Sequence, residues 1–273
     1  MSDKLEESKR KAKETYDSAA DFFDHEALGF WARYGASTVE RLSVKPGMRV
    51  LDVGSGTGAS AIPAAMKVSS EGRVVAVDLS GNLLELAEKK AKDQNLENID
   101  FIQGDMTNLD YPDESFDAVI CVFAIFFVPE MEKQVSELWR MVKPGGVLAI
   151  TTWGPDFFEP AYGPWKSILR NVRPDLHSEF NPWDRISEPG TLEALMVDGG
   201  TSNIRIADEL GGQILSKPED WWTIALGSGL RWTIDQLNEE ESVRIKNENV
   251  NWVKENNVIS VGTNVLYAVA TKD

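Results

Sequence analysis

Between residues 48 and 153, short apolar runs alternate with segments whose apolar positions recur every three or four residues. The runs MRVLDV (48–53), RVVAVD (73–78), NIDFIQ (98–103), FDAVICV (116–122) and VLAITTW (147–153) predict buried strands. ASAIPAAMKV (59–68), residues 81–95 with Leu83, Leu84, Leu86 and Ala87, and residues 130–142 with Met131, Val135, Leu138 and Trp139 predict helices between them. Pro63 falls in the first turns of its helix, where a missing N–H costs least. Lys45-Pro46-Gly47 is a turn, and Lys143 to Gly146 ends a helix. Upstream, residues 3–20 and 22–43 read as two more helices. Strands alternating with amphipathic helices make βαβ units and a parallel sheet covered on both faces. Such α/β sheets bind ligands outside the carboxyl ends of their strands, so the residues that follow each run are the ones to read for chemistry.

Beyond residue 153 the pattern changes. Residues 154–187 are rich in Pro, Trp and Phe without a clean period. A helix at 189–198, a strand at 203–215, helices within 218–256 and a final strand at 262–271 follow. Seven of the nine tryptophans lie at or beyond Trp153, which sets this part apart from the first half.

Composition narrows the class. At 273 residues the chain fits one large domain, or a core with an insertion. The longest apolar run, AVICVFAIFFV (118–128), is too short to span a bilayer. The charged start MSDKLEESKRKAKE has no apolar stretch of the signal-peptide kind. A single cysteine, Cys121, excludes a disulfide framework and makes a cytoplasmic protein the expectation. His25 and His177 stand far apart without a cysteine cluster, so no zinc site is expected. A formal net charge of −16 disfavours nucleic acid as a partner and reads as a solubilising surface.

The stretch LDVGSGTGAS (51–60) sets three glycines at alternate positions directly after a strand. Glycine weakens helices and strands alike, so the loop must serve something that repays it. Between a strand and a helix, glycines let the backbone approach a ligand, and the helix start offers free N–H groups. Asp78, twenty residues past Gly58 at the end of the second strand, can accept hydrogen bonds from ribose hydroxyls. Gly54, Gly56 and Ala59 on their own would also fit a dinucleotide fingerprint. Three features turn the reading elsewhere. Asp52 would repel a pyrophosphate but suit an ammonium; Gly104-Asp105-Met106 after the third strand suits an adenine; and helices precede the glycine loop.

LDVGSGTG, VVAVDLS, GDM, FDAVICVFAIFFV and LWRMVKPGGVLAITTW, in this order and spacing, resemble the class I S-adenosylmethionine-dependent methyltransferases. The nearest subgroup resembles the ubiquinone/menaquinone C-methyltransferases and the glycine/sarcosine-type N-methyltransferases. The resemblance implies a doubly wound, mostly parallel seven-stranded sheet whose last strand, TNVLYAVAT, is antiparallel. It divides the chain into N-terminal helices (1–44), a cofactor-binding core (45–153), a lid insertion (154–187) and C-terminal core strands (188–273) with a helical insertion at about 217–257. It also implies S-adenosylmethionine as cofactor and roles at matching positions. Gly54, Ser55, Gly56 and Gly58 would line the methionine half and ribose, and Asp52 would hold the amino group. Asp78 would bind the ribose, with Leu79 on the adenine; Asp105 and Met106 would bracket the adenine; Cys121 and Val122 would face the methionine moiety. For Cys121, a small buried hydrophobe is the plainer reading. Phe126-Phe127 departs from the polar or histidine pair of many relatives, and a single cysteine excludes an arsenite methyltransferase.

Methyl transfer from a sulfonium depends mainly on positioning and on exclusion of water. Tyr16 and His25 are the candidate catalytic groups, although an isolated histidine on a helix surface signals little. Arg33 is a candidate partner for the cofactor carboxylate. The expected acceptor is a small molecule, an amine ahead of a phenol or quinol. Trp153, Trp221 and Trp222 are the candidate acceptor-binding rings, because aromatic faces attract cations. Two rival readings remain. One is a nicotinamide-dependent reductase, suggested by Tyr162 and Lys166 at dyad spacing but opposed by Gly163-Pro164, expected to break the helix such a dyad needs. The other is a cofactor-binding module without catalysis.

Overall fold

The computed structural model describes residues 2–273. Two helices, α1 (Ser2–Phe23) and α2 (Phe30–Glu40), precede the sheet. The alternating region then runs β1 (Arg49–Val53), α3 (Ala61–Val68), β2 (Arg73–Asp78), α4 (Gly81–Asp93), β3 (Ile99–Gln103), β4 (Phe116–Val122), α5 (Met131–Arg140) and β5 (Val142–Trp153). The remainder comprises α6 (Tyr162–Val172), α7 (Pro189–Asp198), β6 (Ile204–Glu209), β7 (Gly212–Ile214), α8 (Asp220–Leu226), α9 (Arg231–Ile234), α10 (Glu239–Glu255), β8 (Ser260–Gly262) and β9 (Val265–Thr271). Among the described residues no helix is long and apolar enough to cross a membrane.

Seven strands form one sheet in the order β3-β2-β1-β4-β5-β9-β6. The first five strands pair in parallel, and β9 inserts antiparallel between β5 and β6. This is the expected doubly wound α/β sheet with its last strand antiparallel. The period of two along each strand sorts side chains onto two cores. Leu51, Val53, Val75, Val77, Val119 and Cys121 join a core shared with α4, α5 and α7. Val50, Val74, Ala76, Ala118 and Ile120 join a second core under α2 and α3. Burying a Val or Leu contributes roughly 1.5–3 kcal/mol, so strands apolar on both faces are held firmly at the sheet centre. The strand order reverses between β1 and β4, which opens a crevice at their carboxyl ends.

Three expectations need correction. The single strand foreseen at 203–215 is two strands in different sheets: β6 pairs with β9, whereas β7 pairs with β8. The strand foreseen at 147–153 begins earlier, at Val142, through an irregular stretch where the register with β4 shifts. Gly163-Pro164 does not break a helix. Both lie in the first turn of α6, where proline removes no needed N–H. Tyr162 and Lys166 therefore do share a helix, with the Lys166 Nζ 5.0 Å from the Tyr162 ring. The Tyr162 hydroxyl accepts a hydrogen bond from Asn181 Nδ2 at 2.9 Å, and neither residue lines the cleft described below.

Candidate active site

The glycine loop follows β1 at the reversal point. Gly54, Gly56 and Gly58 adopt φ of 70°, 52° and 83°, a region that L side chains enter at a cost. At Gly54 a second constraint applies, since a Cβ would lie 2.3 Å from that of Ala124. The loop is tied to the end of β2. Gly54 and Ser55 N–H groups donate to the Val77 carbonyl at 2.8 and 3.1 Å, and the Gly56 N–H donates to Asp78 Oδ2 at 2.8 Å. Asp78 Oδ1 accepts from the Ser80 N–H at 2.8 Å. Burial pushes the Asp78 carboxyl upward, and these backbone donors oppose the shift. Each oxygen thus keeps capacity for a further donor.

Beneath the loop lies Asp52, fully buried on the α3 side of β1. Its Oδ2 accepts from Ser60 Oγ at 2.7 Å, while Oδ1 has no partner. Burial pushes this carboxyl up to about 7, against the Ser60 hydrogen bond and with a contribution from Asp78. Ser55 Oγ is likewise buried without a partner. Buried polar groups are normally paired, so two orphaned oxygens at one loop are consistent with a site that a polar ligand completes.

The cleft above the loop is lined by Asp78, Leu79, Ser80, Leu83, Gly104 and Met106 together with the rings of Tyr16, Phe23, Trp31, Phe123 and Phe127. Helix α1 forms the roof, contributing Ala12, Lys13, Tyr16 and Phe23. It is fixed by side-chain contacts along its length. Lys9 pairs with Asp105 at 2.6 Å, Ser80 Oγ donates to Asp17 at 2.6 Å, and Asp24 accepts from Thr57 at 3.0 Å and Lys90 at 2.8 Å. Phe23 stacks on Trp31 with ring centroids 5.1 Å apart, and the Trp31 indole donates to the Gly227 carbonyl at 3.3 Å. Burial and the nearby Asp78 charge push the Tyr16 phenol up, so it stays protonated.

Of the residues singled out from sequence, the structure brings Gly54, Ser55, Gly56, Asp78, Leu79, Met106, Val122 and Tyr16 to the cleft wall. Others sit elsewhere. Gly58 packs on Ile62, whose Cδ1 would be 3.0 Å from an added Cβ. Asp105 is turned to Lys9 and to the Thr107 N–H at 2.8 Å, leaving its neighbour Gly104 on the wall. Cys121 is fully buried in the sheet core, where burial pushes its thiol up to about 12. His25 is exposed and caps a short turn, its Nδ1 accepting from the Ala27 N–H at 3.1 Å. Arg33 bonds the Tyr34 hydroxyl at 2.7 Å and Thr263 Oγ1 at 3.0 Å, away from the cleft. The three candidate acceptor rings pack in the core. Trp153 lies behind Phe123, with centroids 4.3 Å apart, and Trp221 and Trp222 pack on Trp165 of α6. The Trp221 indole donates to Asn249 Oδ1 at 3.2 Å, so its polar atom is also spent inside the protein.

Of the aromatic wall, Tyr16 and Phe127 were singled out from the sequence, Phe127 only as a departure from relatives; Phe23, Trp31 and Phe123 were missed. One signal was available: Ala12, Tyr16, Ala19, Ala20 and Phe23 form an apolar stripe at helical spacing on an otherwise charged helix.

Comparison with known proteins agrees with this architecture. A family model described as a methyltransferase domain matches residues 51–150. The chain is 31% identical over 196 residues to a demethylmenaquinone methyltransferase of Listeria welshimeri, covering 66% of this chain and 81% of that one. It is 27% identical over 209 residues to a ubiquinone/menaquinone biosynthesis C-methyltransferase of Yersinia enterocolitica, covering 72% and 82%. Among solved structures, it resembles an S-adenosylmethionine-dependent methyltransferase from Aquifex aeolicus, with a TM-score of 0.52, 17% identity and coverage of 88% and 89%.

Proposed function

Since this chain belongs to the class I S-adenosylmethionine-dependent methyltransferases, we propose that it methylates a ring carbon of a planar aromatic acceptor of the quinol class. The observation that carries the acceptor class is the aromatic lining of the cleft. Five rings contribute to it, and among the described lining residues the one carboxylate, Asp78, is engaged by two backbone N–H groups. Flat rings gain from stacking and edge contacts with such walls. The amine expected ahead of a phenol or quinol has no support in these relatives, which bear quinone-related names.

S-adenosylmethionine fits beside the glycine loop. Asp78 takes the ribose hydroxyls, Leu79, Leu83 and Met106 contact the adenine, and the 54–56 backbone with Ser55 Oγ takes the methionine half. The orphaned Asp52 Oδ1 lies beneath this region, where a bound ammonium would favour the ionised carboxylate over the protonated form that burial promotes. When bound, the cofactor supplies an electrophilic methyl on a sulfonium.

The chain's own contribution is positioning and dryness. α1 roofs the cleft, and the rings of Phe23, Trp31, Phe123 and Phe127 exclude water. Tyr16, held protonated, donates a hydrogen bond to an oxygen of the acceptor and orients its ring. Among the described lining residues no histidine is available as a base. A hydroquinone meets this condition when it enters as its monoanion, the hydroxyl proton having gone to solvent: the ring carbon is then electron-rich, and once it carries the methyl its own hydrogen leaves as a proton to solvent and the ring regains aromaticity.

The test is incubation of the purified protein with S-adenosylmethionine and, in parallel, 1,4-naphthohydroquinones and small amines, with NMR locating the new methyl. Carbon methylation of a naphthohydroquinone is expected. Methylation of amines alone overturns the acceptor class.

A further inference from the structure

The sheet ends on β6, and this edge is open. β6 pairs with β9 on one side, and among the described residues no strand pairs with it on the other. An open edge presents a row of unpaired N–H and C=O groups that can template another strand. No proline interrupts IRIADE (204–209), and its register with β9 runs without a bulge that would twist the edge away. Apolar side chains flank the edge. Leu210, just past the strand, is 81% exposed, and Val197 of α7, which packs on β6, is 55% exposed.

The charges along β6 run in a self-complementary order. A two-fold axis perpendicular to a sheet keeps each side chain on its own face, so two copies of one strand can pair antiparallel only in registers centred on a residue. Centred on Ala207, Arg205 lies opposite Glu209 of the second copy, twice by symmetry. Ile204 then lies opposite Leu210, and the smallest side chain of the strand stands on the axis. Centred on Ile206, the ion pairs are lost; centred on Arg205 or Asp208, like charges meet on the axis. Glu209 is already held in place, accepting from the Tyr267 hydroxyl at 2.9 Å and pairing with Arg41 at 3.1 Å. With Arg41 the edge carries two positive and two negative side chains, so it is locally neutral on a chain of net charge −16. Two copies can approach here without the repulsion that an acidic surface opposes to them elsewhere. The other edge, β3, has no equivalent register, because Asp100 is its one charged residue and Arg73 of β2 takes it.

We propose that the occupant of this edge is a second copy of the chain, paired antiparallel through β6 about Ala207, which joins two seven-stranded sheets into one. The pairing uses no residue of the cleft wall and does not depend on the class of acceptor.

Sedimentation of the purified protein at micromolar concentration should show a dimer. Ala207 is exposed, so Ala207→Lys should leave the protein folded and its affinity for S-adenosylhomocysteine close to parental. It should raise the dimer dissociation constant by about tenfold or more, because it sets like charges face to face across the interface. Cross-linking reads the register. Residues directly opposite in an antiparallel pair have Cα atoms about 4.5–5.5 Å apart, within disulfide reach. Ala207→Cys should therefore link two copies under mild oxidation, with no contribution from the fully buried Cys121. Asp208→Cys should not, because its two copies stand two residues, roughly 7 Å, apart along the strands in addition to the strand spacing. A monomeric parent overturns the proposal. So does a dimer that ignores Ala207→Lys, or one that links through position 208 as readily as through 207. If Ala207→Lys does not fold, the two cysteine variants decide alone.

Discussion

The Gly56 N–H donates to Asp78 Oδ2 at 2.8 Å, joining the glycine loop after β1 to the end of β2. The carboxylate that is proposed to receive the ribose also fixes the backbone that is proposed to receive the methionine half. Asp78→Ala should therefore weaken S-adenosylhomocysteine binding by at least one charged hydrogen bond, about 1.5–3 kcal/mol. The fold should persist, since the residue ends a strand rather than filling the core. Calorimetric titration checks this, and parental affinity in the variant removes Asp78 from the cofactor site.

Gly54→Ala should be more damaging than its single methyl suggests. The new Cβ would lie 2.3 Å from that of Ala124 on a backbone with φ of 70°. Such a conformation costs on the order of 1–3 kcal/mol for a residue with a side chain, before the clash is counted. Adding Ala124→Gly should relieve the clash but not the backbone strain, so thermal stability should recover only in part.

The buried Asp52 gives the ligand-free protein a pH dependence of definite sign. Its carboxyl is raised in the fold from an ordinary value of 3.8 to about 7, so the folded state holds a proton that the unfolded state has released. Stability should then fall as pH rises between about 4 and 7, by an amount on the order of a few kcal/mol, and level off above. Asp78, also raised by burial, adds in the same direction. Melting temperatures across this range should show the slope, and Asp52→Asn should flatten it. An unchanged slope in that variant assigns the effect to other groups.

Trp221 should behave as a core residue. It is fully buried and its indole donates to Asn249. Trp221→Ala should cost roughly 3–5 kcal/mol of stability by leaving a cavity. At temperatures where the variant is folded, the KM for the naphthohydroquinone probe should stay close to parental. A selective rise in that KM without destabilisation would return the ring to the acceptor site.

The alternation of apolar runs and amphipathic helices was legible as a parallel α/β sheet, because strand and helix periods are local properties of the chain. The glycine loop and Asp78 were legible for a related reason. A strand end followed by alternating glycines places backbone and carboxylate at the same edge whatever surrounds them. The helix at 162–172 was hidden because Gly163-Pro164 reads as a breaker unless one knows that it occupies a first turn.

Which rings face the ligand was beyond local pattern. Trp153, Trp221 and Trp222 are aromatic and near the right strand ends, yet Phe123, Trp165 and Asn249 capture them from the core side. Asp105 ends the right strand, but Lys9 on α1 turns its carboxylate aside. These outcomes depend on partners distant in sequence. A residue's type and its neighbours in sequence fix the element it joins. Its orientation toward core or cleft is fixed by competition among side chains that only the folded chain brings together.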